Sequence, residues 1–306
     1  MKAARRLHAV MAILAALAAS VAQANPVRWQ LNMTPGVTDV SERVQSLHNL
    51  TLWICVVIGV LVFGAMAYAM FAFRKSRGAV PATWSHNTTA EIIWTVVPIL
   101  ILIVMAVPAT KTLFQMYDTS KSEMTVKITG YQWMWRYEYL GENVQFLSRL
   151  ERSSDRTRVL GSGMDPYAVK VGDENTYLLD VDHPLVLPVD TKIRFVVTGD
   201  DVIHAWWVPM LGWKQDAIPG IVNENWTRIK KVGVYRGQCA ELCGRDHGFM
   251  PIVVKAVPKA EFKSWLAAQR SANDAAATAS ALPAATPDAA VAPVVAAAPA
   301  AASAAR

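Results

Sequence analysis

The stretch from Leu50 to Phe73, LTLWICVVIGVLVFGAMAYAMFAF, carries no charged residue. At about 1.5 Å of rise per residue, roughly 20 helical residues cross a hydrocarbon core, so this run is long enough to span a bilayer. Arg74, Lys75 and Arg77 follow at once, a basic cluster that marks the cytoplasmic side. A second apolar run, Ile92 to Leu113, contains Pro98 and Pro108, which membrane helices tolerate better than soluble ones do. The intervening segment has basic residues and no acidic ones before Glu91. The pattern predicts a membrane helical hairpin: helix 50–73, a cytoplasmic linker 74–90 and helix 91–113, with segment 25–49 and everything after Lys111 outside. The competing reading is a buried helical hairpin in a soluble protein.

Composition agrees. Of 306 residues 53% are hydrophobic and 18% charged, which excludes disorder over most of the length. Three cysteines are too few for a disulfide-stapled scaffold. Residues Lys2, Arg5 and Arg6, then apolar Ala9 to Ala19, then Ala22-Gln23-Ala24, read as a signal peptide, 1–24, cleaved after Ala24. An uncleaved anchor is the alternative. Removing those three cations from a formal charge of +6 leaves +3, which is no nucleic-acid footprint. Cys55 in the first run reads as an apolar packing residue. Glu91, opening the second run, is either a carboxylate favoured by the helix dipole or a proton-entry group.

From Met124 to Val257 the period changes to two. MTVKITG, TYLLDVD, KIRFVVTG, WTRIKKVGVY and PIVVKAV read as strands of an exported all-β sandwich or barrel, 124–257. An amphipathic helix, 258–270, closes it through Phe262, Trp265 and Leu266. The Ala/Pro-rich tail, 271–306, reads as a disordered spacer, because its prolines would interrupt a poly-Ala helix.

One motif carries chemistry: GQCAELCGRDHGFMP, Gly237 to Pro251, which sets Cys239, Glu241, Cys243, His247 and Met250 close together. Thiolates, an imidazole and a thioether suit copper in an electron-transfer role. His204, in DVIHAWW at the end of a predicted strand, is the best candidate for a further imidazole. Three simpler readings stand beside copper: structural zinc on two cysteines and two histidines, a Cys239–Cys243 disulfide, or Met250 as a core residue.

With AEIIWTVVP, GYQWMWRYEY, DVDHPLVLP and DVIHAWWVPMLGWKQDAIPG in the same order, this motif resembles subunit II of the haem–copper cytochrome c oxidases over about residues 40 to 270. The resemblance implies a cupredoxin-like domain holding a binuclear copper centre. It implies that Cys239 and Cys243 bridge both coppers, that His204 and His247 are terminal ligands, and that Met250 and the Glu241 carbonyl complete the set. The Glu241 carboxylate would help hold a magnesium ion shared with subunit I. Trp133 would be the entry point for electrons from cytochrome c, and Glu91 the entrance to a proton pathway. Glu138, Asp182 and Asp201 would steer a basic cytochrome c. By strand alternation alone Trp133 shares a face with Tyr131, Trp135, Tyr137 and Tyr139 and reads as core.

The implied role is the electron-entry subunit of a proton-translocating cytochrome-c:oxygen oxidoreductase in a bacterial inner membrane, with the copper domain on the periplasmic side. Its partners would be subunit I, which holds the haem and reduces oxygen to water, subunit III and a separate cytochrome c, since no C-x-x-C-H is present. This chain alone would catalyse no net reaction. A copper carrier, a structural exported module and a nitrous-oxide reductase are the rivals. Two departures stand out. Arg149, Arg152, Arg156 and Arg158 crowd an insertion-like stretch beside the expected docking face, and Ile221 stands where some relatives place an arginine.

Overall fold

A computed structural model describes residues 22–24, 29–160 and 176–281. Two long helices come first, α1 (Asp39–Ala72) and α2 (Thr88–Met116). Their apolar stretches have no buried residues, with Val60, Phe63, Phe71 and Ile103 all exposed, as expected of side chains that meet lipid. Cys55 is exposed on the same surface of this chain. Asn87 caps α2 by accepting from Ala90 N at 3.1 Å, while Asn87 N donates to the Glu91 carboxylate at 3.2 Å.

α1 begins at Asp39, well before the apolar run at Leu50. Thr38 and Ser41 close a buried reciprocal cap, and Thr38 Oγ1 also donates to Leu211 O at 2.8 Å. The charged first turn is held by the β-domain: Asp39 pairs with Arg228 at 2.6 Å and Lys230 at 2.9 Å, and Glu42 with Lys230 at 2.7 Å. Gly212, at φ 87°, lies against Ser41; a Cβ there would sit 2.4 Å from the Ser41 Cα, so only glycine fits. At the other helix, Trp226 Nε1 donates to Gln115 O at 2.9 Å. The helices and the domain are thereby joined by paired groups on both sides.

The domain is a two-sheet sandwich. One sheet has the order β4-β3-β2-β6-β9: β2 (Met124–Tyr131), β3 (Met134–Tyr139), β4 (Val144–Ser148), β6 (Ile193–Gly199) and β9 (Asn223–Thr227). The other has the order β5-β11-β10-β7-β8: β5 (Leu185–Pro188), β7 (His204–Val208), β8 (Trp213–Ala217), β10 (Gly233–Cys239) and β11 (Pro251–Val257). The short β1 (Ala22–Ala24) pairs in parallel with Gly233–Tyr235 of β10. The rest of the expected leader lies outside the described residues. Alternation fills the core: Phe195 stacks on Trp206 at 5.7 Å, and Trp206 on Trp213 at 5.0 Å.

Four expectations from sequence need correction. TYLLDVD is a turn with one isolated bridge, Leu150 to Val181, because Leu178 takes φ 63° and ends the extension; the strand falls later, at β5. WTRIKKVGVY is split between β9 and β10. His204 begins β7 rather than ending a strand. The closing helix, α4 (Lys259–Ala281), outruns residue 270. Alanine favours helix most of all residues and the first proline after the apolar face is Pro283, so nothing interrupts the helix sooner. Arg270 and Asn273 donate to the carbonyls of Glu142 and Asn143 at 3.0 and 3.1 Å, tying the extension to the β3–β4 turn. Residues 282–306 lie outside the description.

Candidate metal centre

Strand pairing assembles the site. Antiparallel pairing of Gln238 with Pro251 closes the β10–β11 loop so that Cys239 leaves one strand beside Met250, which precedes the other. On its other side β10 pairs with β7, matching Cys239 to Trp206, and Ala240 N donates to Ala205 O at 3.0 Å. That register delivers His204 to the same end of the sandwich.

The Sγ atoms of Cys239 and Cys243 lie 3.8 Å apart. A disulfide needs about 2.05 Å, and both are free thiols. His204 Nδ1 lies 4.0 Å from the first sulfur, and His247 Nδ1 3.6 Å from the second. Met250 Sδ is 3.5 Å from Cys243 Sγ, and Cys239 Sγ is 3.3 Å from the Glu241 carbonyl. His204, Cys239, Cys243 and Met250 are buried, His247 is half-buried, and the Glu241 side chain is exposed. Two sulfurs, two imidazole nitrogens, a thioether and a carbonyl are more donors than one tetrahedral ion takes. Two ions sharing the sulfurs would use all of them, and a soft set of this kind suits copper.

Each thiol feels its place. Burial pushes the Cys243 thiol up to about 12, reinforced by its neighbour Cys239. Burial also opposes ionisation of Cys239, but the hydrogen bond from His204, together with the Ala205 and Glu241 backbone, wins and brings it down to about 7. Burial likewise disfavours charge on His204 and Asp201. Their mutual bond, joined by Cys239 on one side and by Gln132 N and Val202 N on the other, raises the histidine and lowers the acid.

The layer around the ligands is specific. His204 Nε2 meets Asp201 Oδ1 at 2.9 Å, and Asp201 Oδ2 accepts from Gln132 N at 2.7 Å. Gly130 lies flat beneath the imidazole: a Cβ there would sit 2.8 Å from His204 Cδ2. The β2–β3 turn also supports the loop, with Gln132 Nε2 and Trp133 Nε1 donating to Cys243 O at 2.9 and 3.2 Å. Trp133 is therefore not core. The extended run breaks at Gln132–Trp133, leaving Trp135, Tyr137 and Tyr139 buried and Trp133 half-exposed under the Arg245 guanidinium, 5.5 Å away.

The expected docking acids are all engaged. Glu138 lies between Arg136 at 3.1 Å and Lys127 at 3.4 Å. Asp182 accepts from Arg149 N at 2.8 Å, and Asp201 holds His204. Glu91 stands far from this cluster in sequence and fold, in the first turn of α2. Sequence reasoning missed the roles of Gly130, Gln132 and Asp201 in positioning the site. An acid three residues before a candidate ligand is the one available signal, and the resemblance points to docking for it instead.

Fold and site together define a membrane-anchored protein whose exported β-sandwich carries a sulfur–imidazole metal centre. The family description "Cytochrome C oxidase subunit II, periplasmic domain" matches residues 124–257, and "Cytochrome C oxidase subunit II, transmembrane domain" matches 26–112. A "Probable cytochrome c oxidase subunit 2" of Rickettsia conorii is 40% identical over 250 residues, covering 80% of this chain and 73% of that one. The "Cytochrome c oxidase subunit 2" of Cereibacter sphaeroides is 35% identical over 267 residues, covering 84% and 88%. A crystal structure of the periplasmic domain of subunit II of cytochrome oxidase from Bradyrhizobium japonicum is 39% identical, covers 50% of this chain and 98% of that one, and has a TM-score of 0.42. The chain belongs to the cytochrome c oxidase subunit II family. It is a subunit of a membrane-embedded terminal oxidase, with subunit I as its partner.

Proposed function

We propose that this chain is the electron-entry subunit: a binuclear copper centre on His204, Cys239, Glu241 O, Cys243, His247 and Met250 receives electrons from cytochrome c and passes them to the haem of subunit I. The observation that carries this reading is the pair of free sulfurs 3.8 Å apart, each with its own imidazole. When bound, such a copper pair supplies reversible one-electron transfer, with the charge change shared between two ions. The protein's part is to hold the donors still. Asp201 fixes the tautomer and tilt of His204, Gly130 lets the ring lie close, and the buried sulfurs exclude water. Trp133 gives the donor a route, because its indole is partly exposed while its N–H reaches the Cys243 carbonyl.

The remaining assignments belong to the same reading. The exposed Glu241 carboxylate is available to a magnesium ion shared with subunit I. Glu91 sits at the cytoplasmic end of α2 as the entrance of a proton pathway, besides capping its helix. Glu138, Asp182 and Asp201 contribute negative potential to the docking face rather than free contacts. Residues 1–24 are removed on export, and the complex lies in a bacterial inner membrane with subunit III as a further partner. Oxygen reduction and proton translocation belong to the complex, not to this chain alone.

Electron paramagnetic resonance of the full chain in its purified complex tests the reading. A hyperfine pattern shared equally by two coppers is expected. A mononuclear copper signal, or zinc or a disulfide at Cys239 and Cys243, returns the carrier or structural readings.

A further inference from the structure

The two histidines are held differently, and the difference leads to a part of the chain outside the ligand motif. Asp201 orients His204, whereas no hydrogen bond to His247 Nε2 occurs among the described residues. His247 opens a single short 3-10 turn, His247–Phe249, and the residue before it, Asp246, makes no side-chain capping bond. Its carboxylate turns outward to Arg158 instead, with Nη1–Oδ1 at 3.4 Å and Nη2–Oδ2 at 3.5 Å. The same guanidinium lies 4.3 Å from the centre of the Phe249 ring, at the far end of the turn. One planar group thus grips both flanks of the turn that presents His247.

The grip has a firm base. Arg158 belongs to helix α3 (Arg152–Leu160), in the arginine-rich stretch, and Asp155 holds its Nε at 2.8 Å. Glu151 accepts from the backbone N–H groups of Ser153 and Ser154 at the start of this helix, at 2.7 and 3.0 Å. The neighbouring Leu150 bridges Val181. The Arg158 and Asp246 side chains are only 23% and 14% exposed, so their pairing is partly shielded from water.

We infer that Arg158 is a positioning residue of the metal centre: α3 braces the His247 turn from outside, through Asp246 on one flank and Phe249 on the other. The inference rests on the copper reading above. Arginine suits the task because its fork matches a carboxylate while its face stacks on an aromatic ring, which lysine does not reproduce.

The test uses the full chain in the purified complex, comparing Arg158→Ala, Asp246→Ala and the double variant. Copper loss to a chelator should be about 10-fold faster in either single variant, the size usual for partners that orient metal ligands. The hyperfine pattern should become unequal between the two coppers. The double variant should lose copper no faster than the worse single one, because both changes remove one brace. If Arg158→Ala fails to assemble, Arg158→Lys should give the same spectral change at a smaller acceleration. Wild-type release with an unchanged spectrum, or fully additive effects, would overturn the inference. A wild-type complex without a two-copper signal would instead remove the copper reading itself.

Discussion

His204 and His247 flank the same pair of sulfurs in opposite surroundings. His204 is fully buried at the start of a strand, with Asp201 on its far nitrogen, Gly130 beneath it and Trp135 edge-on at 5.9 Å. His247 is half-buried on a loop turn, and Arg158 supports that turn from outside through Asp246 and Phe249. One candidate ligand is part of the core; the other is attached to it. The comparison teaches that a centre can be rigid without being uniformly held: the β-sandwich sets one half, and a surface helix steadies the other.

The largest difference should appear on truncation. His204→Ala leaves a cavity and strands Asp201, and should cost the metal-free protein about 2–4 kcal/mol. His247→Ala should cost within about 0.5 kcal/mol, as for a surface change. Denaturant unfolding of the two variants checks this, and equal losses would break the comparison. Next in size, Gly130→Ala should cost about 1–3 kcal/mol, because strand backbone cannot yield to a Cβ 2.8 Å from the ring. It should also perturb the copper spectrum, which a remote glycine change would not.

Asp201→Asn should weaken copper binding about 10-fold with the fold retained, measured by competition with a chelator. The smallest effect is in the pH dependence of the metal-free protein. Asp201 is held below its ordinary 3.8, so its contribution is lost as pH falls beneath that value. His204 is raised above 6.5, so its contribution is present below 6.5 and lost as pH climbs through the raised value. The pair should therefore stabilise most between pH 3.8 and 6.5 and decline on both sides. Asp201→Asn should flatten that profile; an unchanged one would mean that the pair adds nothing to folding.

Much of this is legible in the sequence. Apolar runs announce the hairpin because lipid demands length and absence of charge, both visible in sequence. The C-x-E-x-C-x3-H-x2-M spacing points to a metal loop because its candidate ligands are close together along the chain. Other features were not legible. The first turn of α1 reads as ordinary polar sequence, since Arg228 and Lys230, which hold Asp39, come from a segment 189 or more residues further along the chain. Trp133 alternates with core aromatics until the strand turns beneath it. Asp201 is expected to serve docking, and only the fold shows that it faces His204.

By itself, the sequence determined the membrane hairpin, the all-β character of the exported domain and which loop is the candidate for metal binding. Each follows from local composition, period or spacing, which no tertiary contact can change. Tertiary structure alone decided which histidine is anchored, which acid orients it, why Gly130 must be glycine and that Arg158 reaches the loop. Those facts depend on strand register and on groups up to 88 residues apart meeting within a few ångströms. Register is set by the packing of the whole sandwich, and no short stretch of the chain carries it.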